Sequence, residues 1–216
     1  MKKNNDILLA IADDHPVVRL GIRTLLENNA RIKIAAEYSA AAPLMRDFAD
    51  ADWEVLILDV DLKDHNGVEL TKQMLLVRPE LKILILSIYP EKKYALRAMK
   101  AGAKGYVNKN SVLDNLEEAV IQVAGGQLYV SKLLSQLLAE QALFKNNIED
   151  SHAMLSDREL QVLCLYGDGK SNQEIAEQLY ISIKTVSTYR RRILDKMNLK
   201  STADLISYAI THDLVT

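Results

Sequence analysis

The 216-residue sequence has a single cysteine, Cys164, so no disulfide can close within the chain. Its 4 histidines are scattered, with no second ligand at finger-like spacing, which argues against a structural zinc site. Only 8 glycines, 4 prolines and 6% aromatic residues accompany 49% hydrophobic and 26% charged residues, a balance that excludes collagenous, disordered and disulfide-stapled classes. No apolar run approaches the roughly 18 residues that a membrane-crossing helix needs. The polar residues 1–6 lead into a short strand-like stretch rather than the apolar core of a signal peptide. The expectation is a soluble protein of the reducing cytoplasm. An excess of either charge is missing too, the formal net charge being −2. Residues 1–153 carry 19 Lys and Arg against 21 Asp and Glu, and residues 154–216 carry 8 of each. One local excess remains: within residues 181–200, Lys184, Arg190, Arg191, Arg192, Lys196 and Lys200 are opposed only by Asp195, a cluster suited to phosphates.

Over residues 1–125 short apolar runs alternate with longer amphipathic ones, the pattern of parallel strands joined by helices. Candidate strands are residues 7–12, 32–36, 55–58, 83–86 and 105–107, rich in Ile, Leu and Val as a sheet covered on both faces requires. Between them apolar residues recur at helical spacing, as in Val18, Ile22, Leu25 and Leu26, with Pro16 in the first turn, and again in Leu70, Met74 and Leu75. Five such units predict a doubly wound, flavodoxin-like α/β domain with a five-stranded parallel sheet. After Gly125 and Gly126, Leu133, Leu134, Leu137, Leu138 and Leu143 predict one more helix, and the polar residues 145–152 read as a linker. Beyond it the pattern is wholly helical. Ser156 with Glu159, Ser171 with Glu174 and Ser201 with Asp204 each read as an N-cap followed three residues on by an acid. The division expected is 1–126, 127–153 and 154–216.

Functional groups of a parallel sheet gather where strands end. Asp13 and Asp14 follow the first strand, Asp59 ends the third, Ser87 ends the fourth and Lys109 lies just past the fifth. Clustered carboxylates repel unless a hard cation neutralises them, and Mg²⁺, which takes carboxylates, waters and phosphate oxygens, is the natural guest. A carboxylate can also attack phosphorus while a Lys, a hydroxyl and the cation hold the phosphoryl oxygens, which makes Asp59 the candidate acceptor. A lone Asp at a strand end is ordinarily a helix cap or a loop residue. Here the whole set recurs in order.

Ala12-Asp13-Asp14-His15-Pro16, Leu58-Asp59, Leu86-Ser87 and the run from Gly102 to Lys109 resemble the receiver domain of bacterial two-component response regulators. The resemblance implies that Asp14 binds Mg²⁺ directly and Asp13 through water, that Asp59 accepts a phosphoryl group, that Ser87 moves toward it and that Lys109 pairs with it. Tyr106 takes the place of the family's switch aromatic; by itself it reads equally as a half-buried strand residue. After Asp59 the family's Pro is missing, although the following Gly67 keeps its spacing. Asp61 stands where a main-chain carbonyl normally completes the metal shell, so its side chain either adds to metal binding or points to water. Asp59-Val60-Asp61 also imitates the haloacid-dehalogenase-like phosphatases, but that family puts its nucleophile strand first and an acidic pair near the end, the reverse of the order here. His15 reads as a cap or surface group without a catalytic role.

In residues 154–216, one short helix with Ile175, Ala176 and Leu179 inward is followed after a tight turn by a second, from about Ile183 to Met197, whose apolar face is Val186, Ile193, Leu194 and Met197. That leaves Lys184, Ser187, Thr188, Arg191 and Lys196 elsewhere, with cations for phosphates and short hydroxyl side chains for base edges. The runs Leu155 to Glu159, Gly169 to Ala176 and Ser182 to Tyr189 resemble the LuxR-type helix-turn-helix. By that resemblance Ser187, Thr188 and Arg191 contact bases or the groove, Lys184, Thr185 and Lys196 contact phosphates, and the exposed side of the last helix pairs two such domains. Together the resemblances identify the chain as a NarL/FixJ-type response regulator, a DNA-binding transcription regulator rather than an enzyme. They imply Mg²⁺ as cofactor. Double-stranded DNA, a cognate histidine kinase and a second copy of the chain are the implied partners; RNA polymerase is left open as a further one, and no membrane is involved. The missing Pro motivates the alternative of a regulator whose receiver works without phosphate.

Overall fold

The computed structural model describes residues 6–63, 65–143 and 151–215. It divides into two compact units, Met1–Leu134 and Ser135–Thr216.

The first unit runs β1 (Ile7–Ala12), α1 (Pro16–Leu26), β2 (Ile32–Tyr38), α2 (Ala41–Asp47), β3 (Val55–Asp59), the two-residue strands β4 (Asp61–Leu62) and β5 (His65–Asn66), α3 (Gly67–Val77), β6 (Lys82–Ser87), α4 (Glu91–Lys100), β7 (Gly105–Asn108) and α5 (Val112–Ala124). Five strands form one parallel sheet in the order β2-β1-β3-β6-β7, and β4 and β5 make a separate antiparallel hairpin. The doubly wound expectation holds. The winding reverses between β1 and β3, and there the carboxyl ends of adjacent strands open a crevice. β3 is buried along its whole length, as its unbroken Val-Leu-Ile-Leu run demands. Leu9, Ile11, Ile57, Leu84 and Leu86 pack with Ile22 and Leu26 of α1 and with Leu116, Ala119 and Val120 of α5. Truncating any of these large side chains to Ala costs about 2–5 kcal/mol through lost burial and the cavity left behind.

Local sequence sets the element ends. Pro16 occupies the first turn of α1, where its missing N–H is no loss. Asn66 caps α3 by accepting from the Val68 and Glu69 N–H groups at 2.9 and 3.2 Å. At the far end of α3 the Arg78 guanidinium donates to the Phe48, Ala51 and Trp53 carbonyls at 2.9–3.1 Å and lies over the Trp53 ring, tying the segment before β3 to α3. Tyr129 extends the unit beyond α5, donating its N–H to the Lys104 carbonyl at 2.8 Å and bridging Gly105.

The second segment contains α6 (Lys132–Leu143), which crosses the boundary between units, then α7 (Asp157–Gly167), α8 (Asn172–Gln178), α9 (Ile183–Met197) and α10 (Thr202–Thr211). In α6, Leu134 is buried whereas Leu133 and Leu138 are exposed; the side chains of Leu137 and Leu143 lie outside the described residues. The expected linker lies outside them up to residue 150. Residues Ser151–Met154 form a short 3₁₀ turn, and His152 is buried there with its Nδ1 2.9 Å from Tyr208 Oη. α7 packs on α9 and α10, and α8 on α9. Ser156, Ser171 and Ser201 all form the capping boxes read from sequence, and Ser182 caps α9 through the Thr185 N–H. Gly167 allows α7 to meet α10, since a Cβ there would sit 2.7 Å from Ala209 Cβ.

Candidate acidic pocket and nucleic-acid interface

The crevice between β1 and β3 collects the expected carboxylates. Asp13 and Asp59 are 1% and 3% exposed, and the side chain of Asp14 is likewise buried. Ligand atoms of Asp13, Asp14, His15 and Asp59 all lie within 4.8 Å of one another. Lys109, arriving from the end of β7, places Nζ 2.7 Å from Asp59 Oδ2 and 2.8 Å from Asp13 Oδ2. Only the bond to Asp59 is well directed: Asp13 Oδ2 and Asp14 Oδ1 are buried without a hydrogen bond of good geometry. One ammonium therefore serves more carboxylate charge than it can satisfy.

Burial is the largest single influence on the titration of these groups. Burial pushes the Asp59 carboxyl well above the usual range; Lys109 draws it down by less, and Asp13 and Asp61 add to the rise. Burial opposes the charged form of Lys109, but Asp59 and Asp13 outweigh it and hold the ammonium above the usual lysine value.

Gly67 explains why the glycine keeps its place after Asp59 although the proline does not. A Cβ at this position would lie 2.2 Å from the Asp59 carbonyl oxygen, and the Gly67 N–H donates to the Val60 carbonyl at 2.8 Å. Between them β4 and β5 pair antiparallel, with Lys63 turned to φ 46°. Asp61 lies on this hairpin. Its N–H donates to Asp59 Oδ1 at 3.3 Å, and its carboxylate is outside the four-residue ligand cluster.

Ser87 is 1% exposed, and its Oγ accepts the Tyr89 N–H at 3.1 Å. Tyr106 is likewise buried, not half-buried, at 1% exposure, and its hydroxyl donates to the Tyr89 carbonyl at 2.7 Å. Asn108 Nδ2 donates to the same carbonyl at 3.0 Å. The segment between β6 and α4 is thus held from both sides. His15, expected to be a cap or surface group without a catalytic role, closes the other edge: its N–H donates to Asp13 Oδ1 at 2.8 Å and its Nδ1 lies 2.7 Å from Asp14 Oδ1. Position beside the acidic pair was its one sequence signal.

In the second unit, Val186, Ile193 and Met197 of α9 are buried. Lys184, Thr188, Arg191 and Arg192 are exposed, one charged stripe at helical spacing. The hydroxyls of Ser187 and Thr188 donate back to the Ile183 and Lys184 carbonyls, each at 3.0 Å, which leaves their oxygens as acceptors. Thr185 Oγ1 sits 2.8 Å from Ser182 Oγ at the cap. Lys196 stands apart from the phosphate contact expected of it. Its Nζ lies 2.6 Å from Glu159 Oε2, which also accepts the Ser156 N–H at 2.8 Å, so this ammonium pins α9 to the start of α7. Arg190 turns the same way and donates to Thr202 Oγ1 at 3.3 Å.

Comparison with known proteins agrees with this geometry. Residues 9–121 match the response regulator receiver domain, and residues 153–209 match the bacterial regulatory proteins of the luxR family. The chain is 32% identical to the response regulator UvrY of Escherichia coli K12 over 208 residues, covering 96% of this chain and 95% of that one. It is 34% identical to the oxygen regulatory protein NreC of Staphylococcus epidermidis, covering 96% and 98%. Among solved structures, RcsB of Salmonella enterica serovar Typhimurium, bound to promoter rprA in the presence of the phosphomimetic BeF3⁻, superposes with a TM-score of 0.64 at 26% identity, covering 94% and 98%. The two matched segments, the parallel sheet with its acidic crevice and the capped helix-turn-helix lead to one assignment: this chain belongs to the NarL/FixJ-type response regulators, transcription regulators that join a receiver domain to a LuxR-type DNA-binding domain.

Proposed function

We propose that Asp59 accepts a phosphoryl group from a partner histidine kinase in the cytoplasm, and that this favours a dimer whose two α9 helices read a two-fold DNA site. The observation that carries the reading is a buried carboxylate at the end of β3 facing Lys109 at 2.7 Å. Asp59 attacks phosphorus and the histidine nitrogen leaves, while the Lys109 ammonium stays beside the oxygens that gain charge. Asp13, Asp14 and Asp59 would hold Mg²⁺, whereas the carboxylate of Asp61, on the adjoining hairpin, stands outside that cluster; the poorly satisfied buried oxygens of Asp13 and Asp14 are hard donors that suit the ion. Bound there, the ion neutralises charge on the carboxylates and on the phosphoryl oxygens.

Ser87 and Tyr106 carry the change outward. Ser87 Oγ now anchors the Tyr89 N–H, so a hydroxyl that turns to donate to a phosphoryl oxygen moves that segment. Tyr106, bonded to the Tyr89 carbonyl, must follow, and the stacked Tyr89 and Tyr94 rings, 4.6 Å apart, repack with it. This biases a two-state element, which is what a switch requires. We read residues 1–126 as the receiver, 127–153 as helix and linker, and 154–216 as the DNA-binding domain. In that domain Ser187, Thr188 and Arg191 face bases, Lys184 and Thr185 face phosphates, and Lys196 holds α9 in place. The exposed stripe of α10 containing Ala203, Ser207 and Ile210 is the face for a second copy.

Intact-mass measurement after incubation with acetyl phosphate and Mg²⁺ tests the acceptor. The wild type gains about 80 Da, the mass of a phosphoryl group, and Asp59→Asn gains nothing. An unmodified wild type, or an adduct that survives in Asp59→Asn, overturns the assignment.

A further inference from the structure

Beyond α5 the chain returns to the receiver and is fastened at Tyr129 and again at Ser131. Tyr129 donates its N–H to the Lys104 carbonyl at 2.8 Å and bridges Gly105 in parallel, beside the start of β7. Gly105 permits that approach, since a Cβ there would lie 2.9 Å from Tyr129 Cβ. Lys104 in turn donates to the Ile83 carbonyl near the start of β6, at the end of the sheet opposite Ser87. This anchor is remote from the acidic pocket. Ser131 makes the other contact. Its hydroxyl donates to the Glu91 carboxylate, and its oxygen accepts the Leu134 N–H at 3.0 Å. It therefore caps α6 and at the same time ties that helix to the first residue of α4.

Glu91 follows the segment on which the switch acts. The Tyr89 N–H is accepted by Ser87, its carbonyl is held by Tyr106 and Asn108, and Pro90 alone separates it from α4. Burial leads in raising the Tyr106 and Tyr129 phenols, and the Glu91 charge adds to the rise at each, so its carboxylate is felt on both sides of this junction. We infer that the Ser131–Glu91 bond is an autoinhibitory latch: it holds the start of α6 to α4 in the unphosphorylated chain and opens when the segment after Ser87 moves. The inference rests on the phosphoryl switch at Asp59 proposed above and adds where that switch leaves the receiver. α6 crosses from the first unit into the second, so a shift of α4 that frees its first turn is passed to the chain carrying the DNA-binding segment. Tyr129, bonded at the far end of the sheet, is the pivot. A hydroxyl-to-carboxylate bond is among the stronger kinds, and a contact made in one of two states biases the equilibrium by its own free energy. Removing it moves the unphosphorylated chain part of the way to the active state without altering the acceptor.

The test is the affinity of the full-length chain for a duplex selected by the wild type, before and after acetyl phosphate with Mg²⁺, in the wild type, Ser131→Ala, Ser131→Asp and Glu91→Ala. Ser131→Asp keeps an oxygen to cap α6 but sets like charge against Glu91, which separates loss of the latch from loss of the cap. All three variants are expected to bind DNA roughly three- to tenfold tighter than the wild type before phosphorylation. Afterwards they match it, so their gain shrinks by the same factor. Each still gains about 80 Da, because the acceptor is untouched. Unphosphorylated affinities at the wild-type level in all three overturn the latch, as does tighter binding confined to Ser131→Ala, which would assign the effect to the cap. A wild type that is phosphorylated by mass yet binds DNA no tighter overturns the switch beneath it.

Discussion

At the residue scale the pocket depends on one close backbone approach. A methyl group on residue 67 would occupy space already held by the Asp59 carbonyl, 2.2 Å away, and backbone has no rotamer with which to yield. Gly67→Ala is therefore expected to lower stability by about 1–3 kcal/mol. It also moves the acceptor, so phosphorylation by acetyl phosphate slows; denaturant melts and the rate of mass gain check the two effects. Glu159 makes the second residue-scale prediction. Burial acts to raise its carboxyl, but the Lys196 bond and the Ser156 groups outweigh burial and hold it below the usual 4.5. A carboxyl lowered in the folded state contributes stability that is fully present above 4.5 and is lost as pH falls through the lower folded value. Glu159→Gln should remove that part of the acid dependence and cost about 1.5–3 kcal/mol near neutral pH, where Lys196 loses its charged partner. Thermal melts of the variant across pH 3 to about 7, compared with the wild type, read both.

At the element scale, the ends of helices and strands are set by local chemistry that a sequence displays openly. The sheet strands were legible because continuous Ile, Leu and Val runs are required where both faces are covered, and β1 begins and ends where its apolar run does. The serine caps of α7, α8 and α10 were legible because their partner lies three residues on. Distant partners were not. Lys196 reads as one more cation of a basic helix because Glu159 stands 37 residues earlier, and nothing local announces the bond. Tyr106 left its burial open because a lone aromatic has no periodicity, and the β4–β5 hairpin escaped because two-residue strands show no alternation. Arg78 belongs with these hidden ties. Arg78→Ala leaves three carbonyls without their donor and uncovers Trp53, so it should destabilise by about 2–4 kcal/mol, more than an exposed arginine would. A shift of the urea midpoint without a change in slope would check this.

At the scale of the whole molecule, a change of association is what would link the two units. One small helical unit makes few phosphate contacts and binds weakly, whereas two units on adjacent half-sites gain from effective concentration. Phosphorylation should therefore raise DNA affinity and steepen its salt dependence, since twice as many phosphates are neutralised in a single binding event. No helix of the described residues is long and apolar enough to cross a membrane. The acidic pocket and the α9 stripe lie in different units, so removing the acceptor should leave the unphosphorylated affinity as it was and abolish only the gain. The most direct measurement is the affinity of the wild type and of Asp59→Asn for a duplex selected by the wild type, before and after acetyl phosphate with Mg²⁺. The phosphorylated wild type is expected to bind roughly tenfold tighter or more, and Asp59→Asn to show no change. Equal gains in the two proteins, or none in a wild type shown by its mass to be phosphorylated, would contradict the phosphoryl switch.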